Sequence, residues 1–211
     1  MSATGRGTVR NEADFYPTPA WCVHRLLERL LLPGGEWLEP AAGEGAIIRA
    51  VNEHLLLDNP AGPPQPTPSD IHWTAVELRH ETRFALRALI DPPEAHTGIN
   101  FLRGDFVPAR WSVAITNPPF SFAEEFVRAM LECADWAILL LRLNFLGSAK
   151  RRALFANEMP DIYVLPNRPS FTGKGTDATE YCWMVWTPER GRTSGRIEIL
   201  AETPAEQRRA A

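Results

Sequence analysis

The stretch "EWLEPAAGEGAII", residues 36–48, contains the change of pattern that decides the fold. Its first half is typical of a short strand, and Gly43 and Gly45 then stand where a helix begins, over "GEGAIIRAVNEHLLL". Small residues between a strand and a helix let backbone N–H groups and the helix N-terminus approach a ligand closely. Ile48 replaces the third glycine of the GxGxxG dinucleotide fingerprint, so a pyrophosphate ligand is not favoured. An ordinary tight turn would explain the glycines equally well.

Strand and helix patterns alternate along the rest of the chain. The strand candidates are "IHWTAVEL", "SVAIT", "WAILLLRL", "DIYVLP", "YCWMVW" and, at an edge, "RIEIL". The helix candidates are "AWCVHRLLERLLL", capped by Thr18 with Pro19 in the first turn, and "RHETRFALRALI", "FAEEFVRAMLECA" and "SAKRRALFANE". This alternation predicts a mostly parallel sheet with helices on both faces. Ligands of such sheets lie outside the carboxyl ends of the strands.

Composition and charge restrict the class of protein. The 211 residues are 45% hydrophobic and 23% charged, which is typical of one globular domain. No apolar run approaches the ~20 residues of a membrane span and the first ten residues lack a signal-peptide core, so we expect a cytoplasmic protein with no membrane partner. Cys22, Cys133 and Cys182 show no ligand spacing with each other or with the five histidines, so we predict neither disulfides nor a metal site.

The net charge of −4 argues against a protein that coats nucleic acid indiscriminately. Residues 142–176 nevertheless contain six basic side chains against two acidic ones. The basic residues are Arg142, Lys150, Arg151, Arg152, Arg168 and Lys174. This segment is either a solvated face or a local nucleic-acid contact.

The stretch "ITNPPFSF", residues 115–122, is the most specific motif. An aromatic amine such as N6 of adenine is a poor nucleophile, because its lone pair is delocalised into the ring. Two acceptors aimed at its hydrogens, the Asn117 amide oxygen and a carbonyl fixed by Pro118 and Pro119, would favour a more pyramidal nitrogen. Phe120 offers a face for base stacking, a contact typically of ~1 to 3 kcal/mol. An acceptor left empty in a closed pocket would disfavour a base edge that has no hydrogens to give.

Two acidic residues are candidates for nucleoside contacts. Glu77 ends a strand, where a carboxylate can hold both hydroxyls of a ribose. A solvent-exposed carboxylate at the end of a strand would give the same sequence pattern. In "RGDF", Asp105 could accept the adenine amino group of a cofactor while Phe106 packs on its ring.

The motifs "FYPTP", "EPAAGEG", "VEL", "GDF" and "NPPF", in that order, resemble those of S-adenosylmethionine-dependent amino-methyltransferases that act on N6 of adenine in DNA. The resemblance covers residues 16–120 and, through "RPSF" and "YCWMVW", continues to residue 186, where the chain is similar to small phage-type or Dam-like enzymes. It implies a single-domain class I methyltransferase fold, Rossmann-like, with a mostly parallel seven-stranded sheet and an antiparallel strand near the C-terminus. We therefore expect a flexible arm over residues 1–13, the catalytic domain over 14–201 and a charged tail over 202–211.

The resemblance also implies S-adenosyl-L-methionine as cofactor and adenine-containing DNA as partner, with base flipping and direct displacement. Thr18 would help to hold the methionine carboxylate of the cofactor. The other implied cofactor-binding residues are Tyr16, Glu39, Ala41, Gly43, Gly45, Glu77, Leu78, Asp105, Phe106 and Asn117. The implied catalytic pocket for the target base consists of Asn117, Pro118, Pro119 and Phe120. No general base is demanded, because the amine can lose its proton after methyl transfer.

We expect no separate target-recognition domain of the size that larger relatives carry, because neither the stretch between the glycine turn and Asn117 nor the one after Trp186 has room for it. Sequence specificity would then come from loops, either residues 58–70 or "NRPSFTGKGTDATE" at residues 167–180. In the second loop, Arg168 and Lys174 could contact phosphates and Phe171 could fill the gap left by a flipped base; Arg142 is a further nucleic-acid candidate. A plain surface turn is the alternative for this loop.

Two other functions stay open. The Asn-Pro-Pro-Phe/Tyr motif also occurs in methyltransferases that act on guanine N2 of ribosomal RNA and on glutamine side chains of proteins. The Tyr-Pro-Thr-Pro segment favours DNA adenine over these. A nucleic-acid-binding module that has lost catalysis on the same scaffold is a third possibility from a different class.

Overall fold

The computed structural model describes residues 17–57, 66–90, 94–104, 110–171 and 178–208. Eight strands form one sheet: β1 (Gly35–Glu39), β2 (Ile71–Glu77), β3 (Ala95–Thr97), β4 (Trp111–Thr116), β5 (Ala134–Arg142), β6 (Asp161–Val164), β7 (Tyr181–Trp186) and β8 (Ile197–Ile199). The helices are α1 (Ala20–Leu27), α2 (Ala46–Leu56), α3 (Arg83–Arg87), α4 (Ala123–Cys133), α5 (Arg152–Asn157) and α6 (Ala205–Arg208).

The strand order is β3-β2-β1-β4-β5-β7-β6-β8. All pairings are parallel except those of β7, which runs antiparallel to both β5 and β6. The prediction of a mostly parallel sheet with an antiparallel strand near the C-terminus is confirmed. The predicted number of strands was wrong by one. The additional strand is β3, whose three residues pair with the end of β2 and are too few and too polar to show a strand pattern.

Helices cover both faces of the sheet, as predicted. Successive strand residues point to opposite faces, so Trp37 and Leu38 of β1 belong to two different apolar clusters. The cluster around Trp37 includes residues of α1, α2 and α3, whereas the cluster around Leu38 includes residues of α4 and α5. The sheet is therefore the middle layer of three.

The start of α1 differs from the prediction. Pro19 is the N-cap residue rather than part of the first turn, and Thr18 makes no capping hydrogen bond with the described part of the helix. The indole N–H of Trp183 in β7 donates to the backbone oxygen of Cys22 at 2.8 Å within the core. This buried bond fixes α1 against the sheet, and the residues just before α1 reach the sheet's carboxyl edge.

Among the residues that the structure describes, no helix is long and apolar enough to cross a bilayer; α2 and α4 have 11 residues each. Cys22, Cys133 and Cys182 are buried free thiols. Within the same ranges, no three His, Cys, Asp or Glu side chains come together as metal ligands.

Candidate active site at the ends of three neighbouring strands

A cleft opens at the carboxyl ends of β2, β1 and β4, which are neighbours in the sheet. The connection after β1 contains α2 on one face and the connection after β4 contains α4 on the other, so the cleft lies at the switch point where such sheets bind ligands. The described residues enclose about 170 Å³ of cavity. Leu78 and Phe122 stand at its mouth and are 55% and 48% exposed.

The structure brings most of the predicted site residues to this cleft. Its wall includes the following predicted residues: Thr18, Glu39, Ala41, Gly43, Glu77, Leu78, Asn117, Pro118, Pro119 and Phe120. Tyr16, Asp105, Phe106 and Lys174 lie outside the described residues, and so do positions 58–65 of the first candidate loop.

The glycine turn after β1 supports the cleft from two sides. Gly43 and Gly45 both have left-handed backbone conformations, with φ of +56° and +80°. Gly43 lines the cleft. Gly45 lies outside the lining residues as the N-cap of α2, where an added Cβ would lie 2.4 Å from Cδ1 of Leu89. Gly45 therefore supports the turn on the side that faces away from the cleft, against Leu89.

Glu77 at the end of β2 is held by its neighbours. Its Oε2 accepts from the backbone N–H of Gly43 at 2.7 Å, and its Oε1 accepts from the backbone N–H and Nε of Arg79 at 3.0 and 3.1 Å. A carboxylate has about four acceptor positions, so about one remains for a ligand hydroxyl. Arg79, which sequence reasoning missed, thus limits how Glu77 can act.

Glu39 at the end of β1 is a buried carboxyl group, 2% exposed. Its Oε2 has no hydrogen-bond partner within the described ranges. Burial raises its pKa well above the ordinary value, and the negative charge of Glu77 raises it further. A cation bound in the cleft would favour the carboxylate and so offset both effects on the pKa.

Asn117 directly follows β4. Its Nδ2 donates to Oγ1 of Thr18 at 3.1 Å, and Thr18 is only 6% exposed. The Oδ1 of Asn117 is buried, and no described residue donates to it. The carbonyl of Pro119 accepts from the backbone N–H of Phe122 at 2.9 Å in the turn that leads into α4. The cleft thus contains a fixed amide with an open acceptor.

Phe120 lies in the wall of the cleft and also in the wall of a second cavity of about 360 Å³. The guanidinium carbon of Arg142 lies 4.4 Å from the centre of its ring. Phe120, Phe171 and Tyr181 form an aromatic cluster, in which the ring centre of Phe120 lies 6.4 Å from that of Phe171 and 5.6 Å from that of Tyr181.

The three predicted nucleic-acid residues that the structure describes have intramolecular contacts. Arg142 donates from Nε to the hydroxyl of Tyr181 at 3.2 Å, and Arg168 forms an ion pair with Glu180. Phe171 is half-buried, with its ring centre 5.1 Å from that of Tyr181. Filling the gap left by a flipped base would therefore require Phe171 to leave the aromatic cluster.

Sequence reasoning also missed the segment after β3. Asn100, Phe101 and Leu102 line the cleft, and the ring of Phe101 lies 5.7 Å from that of Phe126 in α4. The backbone N–H of Leu102 donates to Oδ1 of Asn100 at 3.0 Å. An asparagine before a short apolar group is a turn signal that could have marked this segment.

No protein-family model matches the chain, and no curated sequence matches it. Similar solved structures include the methyltransferase subunit of a type I restriction-modification system from Streptococcus thermophilus, with a TM-score of 0.64 and 13% identity over 92% of this chain and 50% of that one. The M protein of the type I restriction enzyme EcoKI matches with a TM-score of 0.57 and 19% identity, over 89% of this chain and 47% of that one. The 23S rRNA methyltransferase ErmE matches with a TM-score of 0.52 and 16% identity, over 86% of this chain and 71% of that one.

These likenesses identify the fold. The chain has the Rossmann-like fold of class I methyltransferases, as the motif resemblance implied. The chain spans about half the length of the two type I subunits that it matches.

Proposed function

We propose that the protein transfers a methyl group from S-adenosylmethionine to the N6 amino group of adenine in DNA, with the target base turned out of the helix. The observation that carries this proposal is the buried Oδ1 of Asn117, which lacks a donor among the described residues. Buried polar atoms almost always have partners, and leaving one without a partner costs about 1 to 3 kcal/mol. An N–H group of a bound substrate would supply the missing donor.

The second acceptor for the amine is a backbone carbonyl of the proline pair. Because the carbonyl of Pro119 already accepts from Phe122, the proposal assigns this role to Pro118. Acceptors on both hydrogens favour a pyramidal nitrogen whose lone pair points along the line of attack. Catalysis would then arise from orientation. No residue has to remove the proton before transfer, since the amine loses it afterwards.

The unpartnered Oε2 of Glu39 fits the cofactor. S-adenosylmethionine supplies, when bound, an electrophilic methyl group on a sulfonium. Glu39 would bind the ammonium of its methionine part, because a buried carboxylate with a raised pKa gains most from a cation. Glu77 would use its remaining acceptor position for a ribose hydroxyl, and Thr18 would donate its hydroxyl hydrogen to the methionine carboxylate. Tyr16, Asp105 and Phe106 complete the proposed cofactor site.

Phe120 would stack against the target base. Arg142 now covers one face of that ring at 4.4 Å, so a base that stacks on this face must displace the guanidinium. A displaced Arg142 would then be the proposed contact for a phosphate of the bound DNA. Arg168 and Lys174 are the other proposed phosphate contacts. The proposed catalytic domain comprises residues 14–201, and the proposed location of the protein is the cytoplasm.

The comparisons support DNA and RNA as substrate classes. The two type I structures are methyltransferases of restriction-modification systems, whereas ErmE is an rRNA methyltransferase with the same fold. DNA is favoured by the order of the motifs, including "FYPTP" at residues 15–19. We also propose that the protein is of the small phage-type or Dam-like kind.

Transfer of tritiated methyl groups tests the proposal. The purified chain is incubated with labelled cofactor and separately with unmethylated duplex DNA, single-stranded DNA, ribosomal RNA and cell protein. We expect label in DNA, with N6-methyladenine found by mass spectrometry of the digested nucleosides. Label in RNA alone or in protein alone would replace DNA by that molecule as the proposed substrate. No label, together with no thermal shift on adding cofactor, would favour a binding module without catalysis.

A further inference from the structure

We infer that Thr18 is a positioning residue that couples occupancy of the cofactor site to the orientation of the Asn117 amide. This inference rests on the proposed function and concerns how its central acceptor is aimed. Thr18 and Asn117 are 99 residues apart in the chain, yet Nδ2 of Asn117 lies 3.1 Å from Oγ1 of Thr18.

Thr18 is buried directly before a helix that is hydrogen-bonded to the sheet. Its side chain is 6% exposed and does not cap the described part of α1, so its hydroxyl is available to the cleft. The Trp183–Cys22 hydrogen bond of 2.8 Å fixes the first turns of α1 against β7. Asn117 is fixed from its own side by the end of β4 and by the two prolines that follow it.

The orientation of the amide decides whether the site accepts or donates. A half-turn of the side-chain amide exchanges its oxygen and nitrogen with little change in shape. With Nδ2 on Thr18, Oδ1 is left as an acceptor for an amine. With the amide reversed, two N–H groups would face the N–H groups of the substrate, and donor would oppose donor.

The hydroxyl of Thr18 can both donate and accept, so the direction of its own hydrogen determines which orientation is stable. An anionic oxygen in the cleft beside Thr18, such as the methionine carboxylate assigned there, would take that hydrogen. Only lone pairs of Oγ1 would then face Asn117, and the amide could only donate to it. Binding of the cofactor would thereby set Oδ1 toward the substrate amine.

Three substitutions separate this role from packing. Thr18→Val keeps the shape of the side chain and removes the hydroxyl, Thr18→Ala is a second removal variant, and Thr18→Ser retains the hydroxyl. The first readout is kcat at saturating cofactor and DNA. We expect Thr18→Val and Thr18→Ala to lose about 10- to 100-fold in kcat, because misplacement of a positioning group has effects of this size. Thr18→Ser should stay within about threefold of the unaltered chain.

The second readout does not depend on activity. The side-chain N–H resonances of Asn117, assigned by their loss in Asn117→Asp, are followed by nitrogen-15 NMR with and without S-adenosylhomocysteine, which retains the carboxylate. We expect the ligand to shift them in the unaltered chain and in Thr18→Ser, but not in Thr18→Val.

Three results would overturn the inference: a kcat of Thr18→Val within about threefold of the unaltered chain, equal losses in Thr18→Ser and Thr18→Val, or the same ligand-induced NMR shift in every variant. If the unaltered chain transfers no methyl group to any substrate, the proposed function fails. The resonances then decide by themselves whether Thr18 orients the amide.

Discussion

The backbone N–H of Gly43 donates to Oε2 of Glu77 at 2.7 Å and so joins the turn after β1 to the end of β2. The bond is buried and links residues 34 positions apart. Glu77 is therefore part of the glycine turn as well as a candidate ligand of the cofactor. Its substitution should affect both stability and binding.

Glu77→Ala should lower the free energy of unfolding by about 1 to 3 kcal/mol, because it leaves the N–H of Gly43 buried without an acceptor. Glu77→Gln keeps an acceptor oxygen, so its free energy of unfolding should fall by less. Calorimetric titration with S-adenosylhomocysteine should show about 10-fold or greater weakening for Glu77→Ala, corresponding to ~1.4 kcal/mol or more. Glu81→Ala, at an exposed position in the following turn, is the control. Equal stability and affinity of Glu77→Ala and the control would contradict this prediction.

Glu39→Gln should stabilise the fold at pH 8 while weakening cofactor binding. The pKa of Glu39 is raised in the folded state, so its contribution to stability is fully present below the unfolded pKa of about 4.3 and is lost as the pH rises toward the folded pKa. The glutamine amide of the variant carries no charge to bury. Urea unfolding at several pH values should show the advantage of the variant growing from pH 4 to pH 8.

The same substitution should change the pH dependence of binding. Since a cation binds the carboxylate form of Glu39 and the raised pKa favours the neutral form at low pH, affinity for the cofactor should fall as the pH is lowered. This dependence should flatten in Glu39→Gln. Glu36→Gln, at the exposed start of β1, is the matched control. A stability difference that does not vary with pH would rule out a raised pKa of Glu39 in the folded state.

Asn117→Ala should lose about 100- to 1,000-fold in methyl transfer, the range found when one preorganised polar partner of a reacting group is removed. The melting temperature and the affinity for S-adenosylhomocysteine should change much less than the rate, because Oδ1 has no donor within the described part of the protein and the substitution removes a single hydrogen bond, from Nδ2 to Thr18. Asn157→Ala, exposed in α5, is the control. Methylation at the unaltered rate in Asn117→Ala would refute the assigned role.

Gly45→Ala should destabilise the protein by about 2 to 4 kcal/mol, since a side chain at φ +80° adds left-handed strain to a contact of 2.4 Å with Leu89. Gly191→Ala separates the two effects, because its φ is +75° but no atom lies within 4 Å of the added Cβ. That variant should lose only about 1 to 2 kcal/mol. Urea unfolding of both measures the difference, and equal losses would mean that Leu89 moves aside freely.

Arg168→Gln should weaken binding to DNA and reduce the slope of log K against log salt by about 1, if Arg168 contacts a phosphate. Glu180→Gln should have the opposite effect on affinity, because it frees Arg168 from its ion pair. Arg110→Gln and Asp135→Asn break a similar exposed ion pair at the opposite end of the sheet, where β4 and β5 begin. Fluorescence anisotropy over a range of salt concentrations should show changes in the first pair of variants alone.

The sequence predicted the layers of the fold because long strands and helices have periodic apolar patterns. β5 and β7 are buried along most of their length, and α4 has a clear apolar face. β3 escaped prediction because its three half-buried residues, which pair with the end of β2, are too few to show an apolar pattern.

The site was predictable where a motif specifies its own geometry and not where it depends on distant partners. Glu39, Glu77 and Asn117 lie at strand ends, so the order of the strands brings them together. Thr18 was predicted as a helix cap, but its hydroxyl contacts a residue 99 positions away, which local patterns cannot reveal. The ion pairing of Arg168 likewise depends on the folded path of its loop.

The position of β7 between β5 and β6 has a consequence for synthesis on the ribosome. β5 is followed along the chain by β6, but its second edge pairs only with β7, and Tyr181 lies 39 residues after its partner Arg142. Translation at about 5 to 20 residues per second leaves that edge uncovered for roughly 2 to 8 seconds. The nascent polypeptide therefore displays the unpaired edge of β5, whose residues 137–141 are all buried in the folded protein, to chaperones and to neighbouring chains before it can close the sheet.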